Sequence, residues 1–375
     1  MGIKSNFLSF LKTKSPGSFE VIHLSEYAFR KVAIDVSLYM HKFKAVCGDS
    51  WLISFLNLVA CLRKNEVHCV FIYDGQAPIE KQKEQQKRKD VKLGMIQQIK
   101  DVEEAIFEYT RTGVASEILL DFNAKATTNK RLLSGDVRST VDIKTVREKL
   151  KIKKSQVISI NSDDFELTRD LFDILQVPYF TASNEAEKMC SKLCIDNEVD
   201  AVLSEDTDTI AYGTPIFLSK IDTSKSTCVR IDYESLLSNL ELTRDQFLDF
   251  CILCGTDYNS NMQGIGSVSA FKLIKAYGSL EEIERNTQYD TSVLNYRRVR
   301  ELFTVYNPDD IKSDVQYCGE PDFEVLRNFL KSIDSRSESG SEIGRTINFE
   351  YLRKCFVREI TIIEEDELES EKKRE

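Results

Sequence analysis

The amino-acid sequence predicts an α/β fold in which a mostly parallel central sheet is flanked by helices. Three short apolar runs are continuously hydrophobic, at residues 31–35, 69–73 and 201–204. Continuous hydrophobicity is typical of strands that are covered on both faces, as in parallel sheets. Helical periodicity separates and follows these runs, at residues 51–63, 185–196 and 244–254. The 375 residues are enough for one large unit or two fused units.

The composition excludes several classes of protein. The 51 Lys and Arg residues against 61 Asp and Glu give a net charge of −10, which argues against a uniformly basic coat for nucleic acids. The most apolar stretch, residues 51–62, is too short to span a bilayer, and the start MGIKSNFLSF shows no secretory signal. We therefore expect an intracellular protein without a membrane partner. Its ten cysteines and three histidines show no complete zinc-binding spacing.

Acidic residues stand at the end of each predicted strand. Asp35 closes the first strand and Asp74 follows the second, while Asp206 and Asp208 follow the third. Ligands of open α/β sheets bind beyond the carboxyl ends of the strands, so these acids are expected to meet. Two such charges about 4 Å apart repel by about 4 kcal/mol at an effective dielectric of about 20. A folded cluster must therefore take up protons or bind cations, and magnesium suits a site built only from carboxylates.

Two pairs of acids have an informative spacing. Asp206 and Asp208 are two residues apart, so on an extended segment both would point to one face. Glu185 and Glu187 follow Ser183, a favourable helix N-cap, and are expected in a first helical turn. On a regular helix they would diverge by about 200°, so we expect one direct and one water-mediated metal contact. The alternative for each pair is an exposed turn or a charged first turn.

The segment 81–154 differs from the rest of the chain in charge. It holds 18 Lys and Arg against 11 Asp and Glu, and amphipathic helical stretches such as residues 91–109 dominate it. This pattern predicts a basic helical insertion between two strands, with a solvated helical face as the alternative. Lys81 and Arg88 are seven residues apart and share one helical face. The basic cluster at residues 87–89 adds affinity for phosphate that does not depend on DNA sequence.

The last part of the chain is acidic. Residues 320–375 hold 10 basic and 15 acidic residues. Within them, the stretch 335–344 is rich in Ser, Gly and Glu and predicts a loop. The acidic end from Ile363 onward predicts disorder, because it offers too little apolar surface to bury.

A set of motifs occurs along the chain in one order: MGI, KVAIDVS, VFIYDG, ASNEAEKMC, LSEDTDTIAYG, and FCILCGTDY followed by GIG. Together these motifs resemble the XPG-type structure-specific 5′ nucleases, above all their flap endonuclease branch. The resemblance runs from Met1 to Arg358, except for the middle of the basic insertion. It implies a PIN-like 5′ nuclease fold with a helical arch and a helix–two-turn–helix element that binds DNA.

The resemblance also implies a division of the chain into segments. The nuclease core is implied for an N-terminal region, 1–80, and an internal region, 155–262, and a basic helical arch or cap for 81–154. A helix–two-turn–helix region that binds duplex DNA is implied for 263–319. A C-terminal helical segment, 320–362, would pack back on the core, and 363–375 would form an acidic disordered tail.

The resemblance implies roles for individual residues. Members of the family bind two Mg²⁺ ions, which Mn²⁺ can replace, through acids that match Asp35, Asp74, Glu185, Glu187, Asp206, Asp208 and Asp257. Lys81 and Arg88 match an arch lysine and arginine that steer the scissile phosphate. With Asp206 they are the expected catalytic residues. Gly2 matches a residue that packs beside the active site, against DNA, after removal of Met1.

Other positions are implied to contact DNA. His41 stands where flap endonucleases have a stacking tyrosine, and the related exonuclease branch has histidine there. Gly264 and Gly266 precede a predicted helix at 267–277, and glycines at such a place let backbone N–H groups approach phosphate. They match the helix–two-turn–helix element, which grips duplex DNA and commonly holds a K⁺ ion.

The chain also departs from the family pattern. The interval between Asp35 and Asp74 is shorter than in typical flap endonucleases, so the loop that wedges the upstream duplex is expected to be reduced. The 111-residue interval from Asp74 to Glu185 is longer than usual and predicts an enlarged arch or cap. A cap that admits only a free 5′ end would favour flap processing. No sliding-clamp-binding box is recognisable near the end of the sequence, which argues against a clamp partner.

These observations predict a Mg²⁺-dependent, structure-specific 5′ flap endonuclease that acts on branched or flapped DNA in replication or repair. One alternative is a 5′→3′ exonuclease or junction endonuclease of the same superfamily. Another, from a different class, is a non-catalytic protein that binds DNA junctions, and the intact set of acids argues against it. We expect a monomer in the nucleus or at another site of DNA replication, with the cytoplasm as the alternative.

Overall fold

A computed structural model describes residues 2–4, 6–127, 141–308, 314–334 and 347–356. A seven-stranded sheet lies at its centre. Its strands are β1 (Phe19–His23), β2 (Lys31–Asp35), β3 (His68–Tyr73), β4 (Tyr179–Thr181), β5 (Ala201–Leu203), β6 (Ile216–Asp222) and β7 (Thr227–Asp232). Across the sheet their order is β1-β7-β6-β5-β2-β3-β4. The five strands from β6 to β4 are parallel, whereas β7 is antiparallel to both β6 and β1, so the predicted mostly parallel sheet is confirmed.

Within the described residues the chain forms sixteen α-helices. They are α1 (Phe7–Lys14), α2 (Val36–Cys47), α3 (Trp51–Lys64), α4 (Gln82–Thr112), α5 (Glu117–Thr127), α6 (Ile143–Ser155), α7 (Ser162–Ile174), α8 (Ala186–Ile195), α9 (Asp208–Ala211), α10 (Tyr233–Leu240), α11 (Arg244–Cys254), α12 (Ser267–Tyr277), α13 (Leu280–Asn286), α14 (Tyr296–Thr304), α15 (Phe323–Asp334) and α16 (Phe349–Phe356). The helices and strands expected from hydrophobic patterns are all present. Their ends differ by one residue at most, except in α4, which begins nine residues before and ends three residues after the expected stretch 91–109.

Both faces of the sheet are covered, which explains the continuous hydrophobicity of its strands. Ile34 and Phe71 belong to a core that includes α3 and α7, and the Phe71 ring stacks on Phe172 with centroids 4.1 Å apart. Ala33 and Val70, the alternate residues, belong to a second core that includes α8. Successive residues of one strand are therefore buried on opposite sides.

The C-terminal helices pack on the first of these cores. Leu326 and Leu330 of α15 and Leu352 of α16 are buried there, and α16 lies against α3. The described part of the C-terminal segment thus adds a layer over the helices of the sheet. The loop predicted at 335–344 and the disordered tail predicted at 363–375 lie outside the described residues.

In the described chain, one helical stretch, Val36–Lys64, is long and apolar enough to cross a membrane by length and composition, with a mean hydropathy of 1.6. It consists of α2 and α3, joined by a 3₁₀ turn at Gly48–Ser50. The rings of Phe43 and Phe55 lie 5.0 Å apart, whereas twelve residues of straight helix would separate them by about 18 Å. The two helices therefore bend back on each other, and their apolar residues belong to the core of the sheet.

Helices α4, α5 and α6 form a separate structure that we call the cap. The 31 residues of α4 give it a length of about 46 Å. Its C-terminal half packs with the other two helices around a small core of its own, made of Ile99, Val102, Ala105, Ile106, Leu119, Val146 and Leu150. The first half of α4, nearest the sheet, contributes no buried residue.

A further core joins the N-terminal helix to the region after the sheet. Phe10 of α1 has its ring centroid 5.5 Å from that of Phe250 in α11 and 5.4 Å from that of Phe271 in α12. Helices α13 and α14 bury Ile283 and Val299 in the same core. This packing holds the turn between α11 and α12 beside the N-terminal helix.

Candidate active site

Asp35 is both the last residue of β2 and the N-cap of α2. Its Oδ1 accepts a hydrogen bond of 3.2 Å from the N–H of Leu38, which satisfies one free donor of the first helical turn. The side chain is buried. Burial, with the charges of Asp74 and Asp206, raises the pKa of Asp35 well above its usual value. A cation at this strand end would remove that cost.

Asp74 follows β3 and is fastened to the start of α8. Its Oδ1 accepts a hydrogen bond of 2.9 Å from the N–H of Ala186. The next residue must be glycine, because a Cβ at Gly75 would overlap the carbonyl oxygen of Ala182 and lie 2.7 Å from that of Ser183. The close approach of these two backbone segments brings Asp74 next to the glutamates of α8.

Glu185 and Glu187 face one site, although not in the way the spacing predicted. Helix α8 begins at Ala186, so Glu185 is its N-cap residue, with an extended backbone (φ −102°, ψ 138°). The expectation that Ser183 caps the helix was wrong, and of the two glutamates only Glu187 lies in the first turn, because backbone bonds from Gly75 and Gln76 to the carbonyls of Asn184 and Ser183 hold this segment outside the helix. The 200° divergence therefore does not apply, and both glutamates are buried and face Lys81.

Asp206 and Asp208 follow β5 on a turn, which also differs from the expected extended segment. The N–H of Asp208 donates a hydrogen bond of 2.9 Å to Asp206 Oδ1, and Asp208 begins the short helix α9. An Asp side chain commonly closes such a turn on the backbone two residues further on. Both are buried, and burial raises the pKa of Asp206 and, more strongly, of Asp208, where the charges of Asp206 and Asp257 add to it.

Asp257 comes from a loop that follows α11. The side chain of Asn259 ties this loop: it accepts a bond of 3.2 Å from the N–H of Thr256 and donates one of 2.9 Å to the carbonyl of Ile252. Asp257 is buried and is bound by Arg88, whose Nη2 lies 2.7 Å from its Oδ2. The loop thus aims the last acid at the base of the cap.

Lys81 and Arg88 enter the site from the base of the cap. The ammonium of Lys81 is bound by Glu185 and lies 3.7 Å from Glu187 Oε1 and 3.8 Å from Asp257 Oδ2. Burial opposes its charge, but Glu187 and Glu185 outweigh that effect and raise the pKa of Lys81 above its usual value. Arg88 is more exposed. The two cap cations expected to share a helical face therefore both contact the acids.

Gly2 lies directly beside Asp206. A Cβ at this position would overlap Asp206 Oδ1 and come within 2.7 Å of the N–H nitrogen of Asp208, and its φ of +85° also favours glycine. The neighbouring Ile3 N–H donates a hydrogen bond of 2.9 Å to Thr207 Oγ1. The N-terminal segment is therefore part of the wall around the acids.

Of the other expected DNA-contacting residues, His41 lies on α2 within range of the charge of Asp74, and the two glycines lie in the turn before α12. His41 is exposed on α2, and partial desolvation with the charges of Lys92 and Arg88 lowers its pKa. Gly266 is the N-cap of α12, and Gly264, with φ +77°, precedes it in the turn after α11. Both glycines border open space, with no atom within 4 Å of a Cβ built on them.

The acids fit a hard divalent cation. As they stand, no three His, Cys, Asp or Glu side chains of the described residues converge on one ion, and the Lys81 ammonium lies among them instead. Asp208 Oδ1, however, is buried without a hydrogen-bond partner, which is costly unless a cation or water binds it. A donor set of carboxylate oxygens is the one that Mg²⁺ and Mn²⁺ prefer.

Several residues of the site were missed by reasoning from the sequence. Tyr258 donates a hydrogen bond to Glu185, and Tyr212 reaches Tyr258 with hydroxyl oxygens 2.5 Å apart. Gly75 allows the close approach described above. Tyr258 directly follows Asp257 in the GTDY motif, which was the available signal, whereas nothing in the sequence connects Tyr212 to it.

The fold and the site define an α/β protein with an oxygen-ligand pocket at its strand ends and a basic helical cap above it. The XPG N-terminal domain matches residues 1–94, and the XPG I-region matches residues 176–257. The chain is 31% identical over 360 residues to the probable RAD2-like endonuclease 076L of Invertebrate iridescent virus 3, over 88% of this chain and 93% of that one. It therefore belongs to the XPG family of nucleases.

Other relatives agree with this assignment. The chain is 27% identical over 379 residues to flap endonuclease 1-2 of Paramecium tetraurelia, over 92% of this chain and 86% of that one. Its fold is similar to that of the catalytic core of Rad2 in complex with DNA substrate, with a TM-score of 0.61 and 18% identity, over 94% of this chain and 100% of that one. The PIN-like architecture expected from the sequence is thereby confirmed.

Proposed function

We propose that the chain is a Mg²⁺-dependent, structure-specific 5′ nuclease that cleaves DNA at flap or branch junctions and leaves a 5′-phosphate and a 3′-hydroxyl. The observation that supports this most directly is the meeting of buried carboxylates with two cap cations, Lys81 and Arg88. Family membership and the named relatives, a RAD2-like endonuclease and a flap endonuclease, support the same class of reaction.

The acids would hold two Mg²⁺ ions, or Mn²⁺ in their place. The proposed ligands are Asp35, Asp74, Glu185, Glu187, Asp206, Asp208 and Asp257. When bound, such ions activate a water molecule and stabilise the leaving oxygen of a phosphodiester. The protein contributes orientation: backbone N–H groups bind one oxygen each of Asp35, Asp74 and Asp206 and so fix these carboxylates.

Lys81 and Arg88 are suited to hold the scissile phosphate. In the structure their charges are balanced by Glu185 and Asp257. With these acids engaged as metal ligands, the ammonium of Lys81 and the guanidinium of Arg88 would be available to a phosphate. Arg88 offers a planar fork that matches two phosphate oxygens, whereas Lys81 acts as a point charge. We propose these two residues and Asp206 as the catalytic residues.

The cap is suited to select a free 5′ end. The segment 81–154 has an excess of seven positive charges, and α4, whose first turns contact the acids through Lys81 and Arg88, is about 46 Å long. A single strand passing beneath it would meet Lys81 and Arg88 before reaching the acids. Because the cap has its own apolar core, it can stay folded while the strand is bound.

The region 263–319 is suited to hold duplex DNA. Gly264 and Gly266 leave the N-terminus of α12 open, where backbone N–H groups can approach a phosphate. A groove of about 440 Å³ beside this helix N-terminus is lined by Lys14 and Ser267, among others. Duplex bound there would set the distance from the junction to the cut. A K⁺ ion at this turn stays a prediction.

Cleavage assays on defined junctions test the proposal. End-labelled 5′-flap, nicked, blunt and four-way DNAs are incubated with the protein in Mg²⁺ or in EDTA, beside an Asp206→Ala variant. We expect release of the intact flap, only with Mg²⁺ and only by the unsubstituted protein. DNA binding without product from any substrate would support the non-catalytic junction binder and overturn the nuclease.

A 5′→3′ exonuclease is the second candidate. The observation in its favour is His41, which is exposed on α2 opposite the cations of α4, at the position where the exonuclease branch has histidine. A ladder of mononucleotides from nicked or blunt DNA would support it. A monomeric state, an intracellular location and the absence of a clamp partner stay predictions.

A further inference from the structure

Two buried tyrosines, one bound to the carboxylate and one bound to the first tyrosine, lie on the core side of Glu185. The hydroxyl of Tyr258 donates a hydrogen bond to Glu185 Oε2, and the hydroxyl oxygens of Tyr258 and Tyr212 lie 2.5 Å apart. The other carboxylate oxygen, Oε1, is bound by Lys81 of the cap base. Glu185 therefore has one oxygen fixed by the protein core and one turned toward the group that enters from the cap.

The direction of these hydrogen bonds follows from the chemistry of the groups. An ionised carboxylate only accepts, and a phenol has a single proton to donate. Because Tyr258 gives its proton to Glu185, the bond between the two phenols must be donated by Tyr212. The bonds thus run from Tyr212 to Tyr258 to Glu185, and hydrogen bonds in such a series polarise and strengthen one another.

Packing fixes both phenols in place. Tyr212 and Tyr258 are 5% and 7% exposed. Both rings lie against Phe303 of α14, with centroid distances of 4.7 Å and 5.2 Å. Burial, with the negative charge of Glu185 nearby, raises the pKa of each phenol well above its usual value, so both remain donors at neutral pH.

We propose that Tyr258 and Tyr212 are positioning residues that fix the orientation of Glu185, so that only its Oε1 is presented to a divalent cation. This proposal rests on the metal-dependent function proposed above. Neither tyrosine is placed to touch the substrate. Groups that orient a metal ligand typically contribute 10–100-fold to metal affinity or activity, and we expect an effect of about that size from Tyr258.

Mn²⁺ binding to the full chain without DNA provides the test. Free Mn²⁺ is followed by electron paramagnetic resonance for the wild type, Tyr258→Phe, Tyr212→Phe and a control, Tyr233→Phe. Tyr233 is an equally buried phenol, and the charged groups that affect it are Arg244, Glu234 and Asp245 rather than the acids of the site. Its substitution removes a phenol hydroxyl without touching Glu185.

We expect the Mn²⁺ affinity of Tyr258→Phe to fall about 10–100-fold. Tyr212→Phe should fall between that variant and the wild type, because the direct donor to Glu185 remains, and Tyr233→Phe should bind as the wild type does. Saturating Mn²⁺ should restore most of the flap cleavage by Tyr258→Phe.

Two outcomes would overturn the inference in distinguishable ways. Unchanged Mn²⁺ affinity in both Tyr258→Phe and Tyr212→Phe, with lower thermal stability, would make the tyrosines structural only and leave the proposed function intact. No Mn²⁺ binding by the wild type would overturn both proposals together. Should Tyr258→Phe fail to fold, the Mn²⁺ affinity of Tyr212→Phe decides, because this variant keeps the direct hydrogen bond to Glu185. A lower affinity than that of the wild type would support the inference, and an unchanged affinity would overturn it.

Discussion

In the acidic pocket, six of the seven acids are buried and four are held by a backbone N–H or a phenol, whereas in the cap most cations stand on the surface of helices. The pocket gets its geometry from close approaches such as that of Gly75 to residues 182–183. The cap gets its shape from one small apolar core, and its first half has no buried residue. Geometry should therefore limit substitution in the pocket, and charge alone should limit it in the cap.

The largest contrast is expected between acids of the two regions. Asp208→Asn removes the carboxylate whose Oδ1 is buried without a partner, and flap cleavage should fall by more than the roughly 100-fold that an outer-shell residue contributes. In EDTA the same variant should melt at a higher temperature, because a neutral amide replaces a charge whose burial raises its pKa. Single-turnover cleavage and thermal melting measure the two effects.

Asp90→Asn is the matched control in the cap. Asp90 is exposed on α4, where it accepts a hydrogen bond from Gln86 of the same helix. Cleavage and melting temperature should therefore stay close to those of the wild type. Normal cleavage by Asp208→Asn, or an equal loss in Asp90→Asn, would remove the distinction between the regions.

Two glycines extend the comparison to the backbone. Gly75→Ala would force apart the segments that carry Asp74 and Glu185, which should cost about 1–3 kcal/mol of stability. A shift of about 1 Å in a catalytic group can lower the rate by about 100-fold. Gly94 in α4 faces open space, so Gly94→Ala should instead stabilise the helix by about 1 kcal/mol. Denaturant unfolding and cleavage rates check both variants, and equal effects would contradict the contrast.

Much of the pocket could be predicted from the sequence, because acids at the ends of three parallel strands must meet at one edge of the sheet. The start of α8 could not. Ser183 is a good cap in local terms, but its carbonyl and that of Asn184 accept bonds from Gln76 and Gly75, and this pairing keeps residues 183–185 outside the helix. A tertiary contact over about a hundred residues outweighed the local preference.

The turn at Asp208 and the two tyrosines were missed for similar reasons. The bond from the Asp208 N–H to Asp206 bends a segment that the two-residue spacing alone would leave extended. Tyr212 and Tyr258 meet over 46 residues of sequence, and no periodicity reports such a contact. In the cap, by contrast, helical periodicity was sufficient to predict helices, because these pack mainly on one another, although it did not give the ends of α4.

The pocket should also respond to pH in a way that the cap does not. Burial and nearby carboxylates raise the pKa of Asp35, Glu187 and Asp208 in the folded protein. The unfolded chain keeps values of about 4, so the folded state binds more protons above that pH, and stability falls as pH rises through the window between the ordinary and the raised pKa.

In EDTA, the melting temperature should therefore fall as pH is raised from about 5 toward about 8. Mg²⁺ should reduce this fall, since a ligand that binds only the folded state stabilises it. Asp208→Asn should show a shallower dependence than the wild type. Melting curves across this range test the prediction. A melting temperature that rises with pH in EDTA would mean that the acids are not stabilised in the protonated form.

The smallest effect is expected from the surface of the cap. Lys87 and Lys89 are exposed on α4 beside Arg88, so replacing both with Gln should weaken flap DNA binding several-fold and leave the rate at saturating DNA unchanged. Two fewer phosphate contacts to a single strand should make the slope of log affinity against log salt shallower by about 1.4. Lys220 and Lys225, exposed in the β6–β7 hairpin, provide a control pair that should leave the slope unchanged. A lower rate at saturating DNA in the Lys87 and Lys89 variant would mean that these lysines contribute to cleavage itself, as the pocket residues do. Charge alone would then no longer describe the cap.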